Sequence, residues 1–144
     1  MARPIKCRKV EFFPESTYFA PLDKKRCNIE EVSLKVEELE AMRLKDIEGL
    51  SQEECAKNMR ISRQTFQNII DSARLKVAIA LTQGKAINIG GGNYVPKSCK
   101  FRCTECNEEY DINYKQDKNE CPSCDSEKVG CSKKQGHCHK WCNE

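Results

Sequence analysis

Between Val36 and Val77 apolar residues recur every three or four positions with polar residues filling the gaps, the period of an amphipathic helix. Leu39, Met42 and Leu44 predict a first helix over roughly Val36 to Asp46, with Gly49 placed to close it. Ser51, with Glu54 three residues on, makes a capping box that opens a second helix, whose inner face is Ala56 and Met59. Ser62 caps a third helix, on which Phe66, Ile69, Ile70, Ala73 and Val77 form a stripe. Only a few residues around Arg60 and Ile61 separate the last two helices. So short a turn forces a steep crossing, and the small Ala56 permits it.

With that stripe turned inward, the third helix presents Ser62, Arg63, Gln64, Gln67 and Asn68 to solvent. Arginine can take a guanine edge through two hydrogen bonds, and glutamine or asparagine can take adenine in the same way. Ser51 and Gln52 open the second helix, where unsatisfied N–H groups suit a phosphate. The competing explanation is an ordinary solvated face, since every amphipathic helix has one. Charge placement favours the first. Residues 60–76 carry Arg60, Arg63, Arg74 and Lys76 against Asp71 alone, while Glu37, Glu38 and Glu40 gather on the first helix.

Periodicity is weak outside this region. Residues 1–32 read as a basic N-terminal arm holding Arg3, Lys6, Arg8 and Lys9, with a short strand at Val10 to Phe13. Arg3 and Arg8 are candidates for the minor groove, and a solvated tail is the alternative. Residues 33–87 form the helical domain, and 88–98, "NIGGGNYVPKS", read as a linker because three glycines and a proline interrupt any element. Residues 99–144 hold eight of the eleven cysteines and little aliphatic content, so this part needs staples rather than a core. The expected fold is mainly α: a tri-helical helix-turn-helix domain followed by a small metal-stapled β-ribbon.

Cys103/Cys106 and Cys121/Cys124 are two Cys-x-x-Cys pairs with fourteen residues between them. Each pair is a knuckle that aims two thiolates at one ion, and two knuckles make a closed tetrahedral zinc site. Phe101 and Tyr110 bracket the first knuckle, as a short hairpin requires. Local disulfides are the alternative, disfavoured in a reducing compartment. Farther on, Cys131, His137, Cys138, His139 and Cys142 offer five ligands in twelve residues, enough for a second zinc site or a metal-sticky tail. An iron–sulfur cluster uses the same ligand type but ranks below zinc. Cys7 and Cys27 have no partner at chelating spacing and read as free thiols, and Cys55 reads as a small buried hydrophobe rather than a sensor thiol.

The stretch from Val36 to Val77 looks like region 4 of sigma factors and related tri-helical DNA-binding domains. More closely, "MARPIKCRKV", "LEAMRLKDIEGLSQEE", "SRQTF" and "GKAINIGGGNY" in this order resemble a prokaryotic family, domain of unknown function 134 (uncharacterised protein family 0251). That resemblance covers residues 1 to about 94 and implies DNA binding without naming a target. Two positions depart from the pattern. Arg60 stands where such turns usually carry glycine, and Cys55 where an aliphatic side chain is usual.

The function expected is therefore a sequence-specific DNA-binding transcriptional regulator with a four-cysteine structural zinc site and metal or redox sensing at the C-terminal end. The runner-up is an interaction adaptor docking on RNA polymerase or another protein. Double-stranded DNA is the expected partner, with RNA polymerase and a second copy of the chain as further candidates. No membrane partner is expected, since no apolar run nears the ~20 residues of a span and no secretory signal opens the chain. A cytoplasmic location follows. No P-loop, nucleophile elbow or dinucleotide fingerprint is present, so no enzyme is expected.

Overall fold

The computed structural model describes residues 4–97 and 99–132. In chain order the elements are β1 (Arg8–Val10), β2 (Tyr18–Phe19), β3 (Glu31–Leu34), α1 (Val36–Met42), α2 (Gln52–Met59), α3 (Arg63–Gln83), β4 (Ala86–Ile89), β5 (Tyr94–Pro96), β6 (Lys100–Cys103), β7 (Glu109–Asp111) and β8 (Val129–Cys131). They fall into two compact units: residues 12–92, and residues 4–11 joined with 93–132.

In the first unit α1 runs on into a π-helical turn, Arg43–Ile47, before Gly49 takes a φ of 69°. Ala41, Leu44, Cys55, Ala56, Met59, Phe66, Ile69 and Ile70 form its core, with Met42, Leu50 and Ile61 packed at the edge. β4 lies between β2, antiparallel to it, and β3, parallel to it, and both β3 and β4 pack against α3.

Leu39 and Met42 are only half-buried, whereas Glu37, Glu38 and Glu40 of α1 are buried. Buried charge persists when it is paired. Glu38 accepts from Lys76 Nζ at 2.6 Å and from the Lys35 N–H at 2.9 Å, and Glu40 accepts from Arg43 Nε at 2.6 Å. The three glycines close this unit. Gly91 accepts the Val36 N–H at 3.2 Å, and Gly92, at φ 108°, leaves no room for a Cβ, which would stand 2.2 Å from Glu37 Oε1.

The second unit joins the two ends of the chain. β1 pairs in parallel with β5, Arg8 opposite Tyr94 and Val10 opposite Pro96. β6 is central in an antiparallel sheet with β7 and β8. Cys7, Val95, Cys99, Phe101 and Ile112 make a small core, and burial raises the Cys7 thiol pKa. Lys9 is 1 % exposed and donates its Nζ to the Ile112 carbonyl.

The expected mainly α fold is thereby corrected to a mixed α/β one, with three α-helices and three small sheets among the described residues. These strands are two to four residues long, and β1 to β4 find partners more than fifty residues away. Single-sequence periodicity cannot register pieces that short. The stretch read as a linker carries the end of β4 and all of β5, and the basic segment carries β1.

Candidate functional site

The four cysteines of the two knuckles converge. Their sulfurs all lie within 4.8 Å of one another, with Cys103 and Cys124 at 3.6 Å and Cys106 and Cys121 at 3.7 Å. Tetrahedral zinc with Zn–S bonds of about 2.3 Å demands S···S edges of about 3.8 Å, so the donor set fits a single ion of that size.

Sequence builds the two halves alike. The Cys103 N–H bonds the Glu108 carbonyl at 3.0 Å, and the Cys121 N–H bonds Ser126 at 2.9 Å. Each knuckle ends on a left-handed residue, Asn107 (φ 57°) and Asp125 (φ 58°), types that tolerate it. The hairpin of β6 and β7 carries the first knuckle and sets Phe101 opposite Tyr110, ring centroids 6.4 Å apart. Asp117 fixes the following loop, accepting the N–H groups of Asn113 and Tyr114 at 3.0 and 2.9 Å, while its carbonyl takes the Tyr110 hydroxyl at 2.6 Å.

Backbone amides supply the positive side of this site. The Cys106 amide, with that of Glu105, holds the Cys103 thiol down at about 7. The Ser126 amide favours a thiolate at Cys124, but burial and the sulfurs of Cys103, Cys121 and Cys106 push it up to about 12. Cys106 is likewise raised, against the pull of the Glu108 amide. Four sulfurs this close cannot all ionise without a cation between them, and a divalent metal meets that need.

The second candidate site meets the edge of what is described. Cys131 ends β8, opposite Phe101. His137, Cys138, His139 and Cys142 lie outside the described residues, as does Arg3.

The predicted reading face is carried by α2 and α3. Ser51 caps α2: its hydroxyl accepts the Glu54 N–H at 3.2 Å, and Glu54 returns to the Ser51 N–H at 3.0 Å. Helix α2 ends in a Schellman motif. The Ile61 N–H bonds Ala56 at 3.0 Å, the Arg60 N–H bonds Lys57 at 3.1 Å, and Arg60 is left-handed (φ 55°, ψ 46°). Arginine thus holds the conformation glycine favours. Ser62 caps α3, accepting the Thr65 N–H at 3.1 Å.

Past this turn, Arg63, Gln64 and Asn68 are exposed, with Gln67 and Gln52 half-buried. Gln64 donates to Asn68 at 3.0 Å, and Gln52 is bonded to both Arg63 and Gln67. The face is less free of acid than the sequence suggested. Glu53 lies 3.4 Å from Arg63 Nη1, and Asp71 accepts from Gln67 at 2.8 Å. Only the folded geometry brings Glu53, ten positions earlier, beside Arg63. Arg8 belongs to the second unit, half-buried in β1, its Nη1 donating to the Lys6 carbonyl at 2.7 Å.

No described helix is long and apolar enough to cross a membrane. A family model described as "Protein of unknown function DUF134" matches residues 1–97. A UPF0251 protein of Clostridium novyi (strain NT) is 65% identical over 144 residues, covering 100% of this chain and 98% of its own length. One of Clostridium tetani (strain Massachusetts / E88) is 68% identical over 142 residues, 99% of this chain and 97% of the relative. One of Clostridium botulinum (strain Hall / ATCC 3502 / NCTC 13319 / Type A) is 66% identical over 142 residues, 99% and 90% of the two lengths. No solved structure matches. The family model stops before the four cysteines, whereas these relatives align through them. The chain belongs to the DUF134 family, and the relatives it matches almost end to end are UPF0251 proteins.

Proposed function

We propose that this protein is a sequence-specific DNA-binding transcriptional regulator acting in the cytoplasm, and that its four cysteines hold a structural zinc ion. The observation that carries the reading is the capped α2–turn–α3 pair with Arg63, Gln64, Gln67 and Asn68 on its uncovered side. In this reading α3 enters the major groove. Arg63 takes a guanine edge, and Gln64, Gln67 and Asn68 take further base edges. Ser51, Ser62 and Arg60 hold phosphates from the two helix starts and the turn. One such unit spans few base pairs, so two copies on paired half-sites supply the rest.

Zinc is preferred over iron–sulfur because all four sulfurs surround one point, whereas cluster ligands bind separate irons. With four protein ligands no coordination position stays open, so the ion acts as a staple and no catalytic step is assigned. Comparing duplex affinity of metal-loaded and metal-stripped protein tests whether this unit also senses metal.

A second reading, an adaptor docking on RNA polymerase or another protein, draws on Glu53 and Asp71, since acid on the face weakens its attraction to phosphate. Selection from a pool of random duplexes separates the two. The DNA reading predicts an enriched motif that Arg63→Ala loses; an unchanged pool favours the adaptor.

A further inference from the structure

The polar groups between α2 and α3 form one directed chain. Arg63 Nε donates to Gln52 Oε1 at 3.2 Å, Gln52 Nε2 donates to Gln67 Oε1 at 2.6 Å, and Gln67 Nε2 donates to Asp71 Oδ1 at 2.8 Å. An amide can turn its oxygen and nitrogen either way, but here the two ends forbid it. Arginine can only donate and an ionised aspartate can only accept. Reversing either glutamine alone would set nitrogen against nitrogen and oxygen against oxygen at two of the three links, and reversing both would do so at the Arg63 and Asp71 ends. The relay therefore has a single polarity, fixed by its charged termini.

That polarity leaves Gln67 with one N–H and one oxygen lone pair still to offer, in a fixed order along the groove-facing side. It also ties the Nε edge of Arg63 to the body of the protein, so that the guanidinium tip, whose Nη1 meets the exposed Glu53 at 3.4 Å, is presented at the surface in one orientation. A side chain held in its reading rotamer loses less entropy on binding, about 0.5–1.5 kcal/mol per immobilised residue.

Resting on the DNA reading above, we infer that Gln52 and Asp71 are specificity-determining positioning residues. They fix which hydrogen-bonding pattern Arg63 and Gln67 show to DNA without needing to touch a base. This reassigns Gln52, placed by its sequence position at a phosphate, to a bridge whose oxygen and nitrogen are both engaged within the protein. It also gives Asp71, an anion on a face meant for a polyanion, a reason to be there.

The test measures affinity for the duplex selected by the wild-type protein and for a scrambled duplex, each across a salt series, on the full-length metal-loaded chain. Gln52→Ala changes no charge. It should leave scrambled-duplex affinity and the salt slope unchanged while selected-duplex affinity falls about two- to 140-fold, the range for one or two released side chains at tenfold per 1.4 kcal/mol. In a repeat selection, preference should broaden at the base pairs read by Arg63 and Gln67 and stay sharp elsewhere. Asp71→Asn removes an anion and frees the amide order, so scrambled-duplex affinity should rise while discrimination falls. A double-mutant cycle of Gln52→Ala with Gln67→Ala should show coupling rather than simple addition.

Equal losses on both duplexes, with an altered melting temperature, would make Gln52 merely structural and overturn the inference. An unchanged motif in Gln52→Ala would overturn it while leaving the DNA reading intact. A wild-type chain that selects no duplex would overturn both.

Discussion

Arg60 offers a perturbation whose effects on stability and on DNA binding have opposite signs. It closes α2 at φ 55° and ψ 46°, and its neighbour Ile61 completes the motif by bonding back to Ala56 at 3.0 Å. A left-handed conformation costs a residue with a Cβ about 1–2 kcal/mol, a strain that Arg60→Gly removes. Glycine loses more freedom on folding, about 0.4–1 kcal/mol, which offsets part of that gain. The net stabilisation is about 0.5–1 kcal/mol, a rise in melting temperature of roughly 3–6 °C for a unit of this size. Arg60→Ala keeps the strain and removes the charge, so it should melt no higher than wild type. If Arg60 holds a phosphate, both variants should bind duplex DNA more weakly and lower the salt slope by about one. Thermal unfolding and a salt series, run side by side on the three proteins, are the assays. A glycine variant no more stable than the alanine variant would refute the strain argument. Unchanged binding in both would remove Arg60 from the interface.

Three further perturbations probe other parts of the molecule. Stripping the proposed zinc ion should withdraw about 10–16 kcal/mol of binding energy, as much as the net stability of a whole domain. Amides of β6 to β8 should then lose hydrogen-exchange protection while those of α1 to α3 keep it. Acid should favour release, because Cys106 and Cys124, whose thiols sit above their ordinary value, must shed protons to bind metal. At Glu38 burial pushes the carboxyl pKa up, but Lys76, Ser72 and the Lys35 amide outweigh it and hold it below the ordinary carboxylate value. A depressed acid contributes stability above its unfolded pKa and loses it as pH falls. Denaturant midpoints should therefore fall below about pH 4.5, and less so in Glu38→Gln, which itself costs about 1–3 kcal/mol at neutral pH. Gly92→Ala sets a Cβ against the buried Glu37 at a φ of 108°, and should destabilise residues 12–92 by about 2–4 kcal/mol in a denaturant titration.

The sequence showed most where the physics is local. Ser51 with Glu54, and Ser62 before Thr65, are short-range capping signals, and the structure places helix starts at both. Cys-x-x-Cys spacing is equally local, since a knuckle closes within a few residues, and only the convergence of the two pairs needed the fold. Long-range pairing was hidden. Nothing near Arg8 foretells Tyr94, and Lys9 looks like a solvated cation until the Ile112 carbonyl covers its amine. The burial of Glu38 was hidden for the same reason, because its partner Lys76 lies thirty-eight positions away on another helix. The relay through Gln52 is half visible: the sequence marks Arg63 and Gln67 as part of a reading face and puts Gln52 at a phosphate, but the chain and its direction emerge only when Arg63 and Asp71 stand at its two ends.

The most direct test of DNA binding is the salt dependence of equilibrium affinity for duplex DNA, measured on the metal-loaded chain beside Arg63→Ala. Wild type should bind at 50 mM salt and weaken linearly on a log–log plot as phosphate contacts are exchanged for counterions. Arg63→Ala should bind the duplex selected by the wild-type protein more weakly by about 1–3 kcal/mol. No binding at low salt, or equal affinity in the two proteins, would contradict the assignment of α3 as a DNA-reading helix.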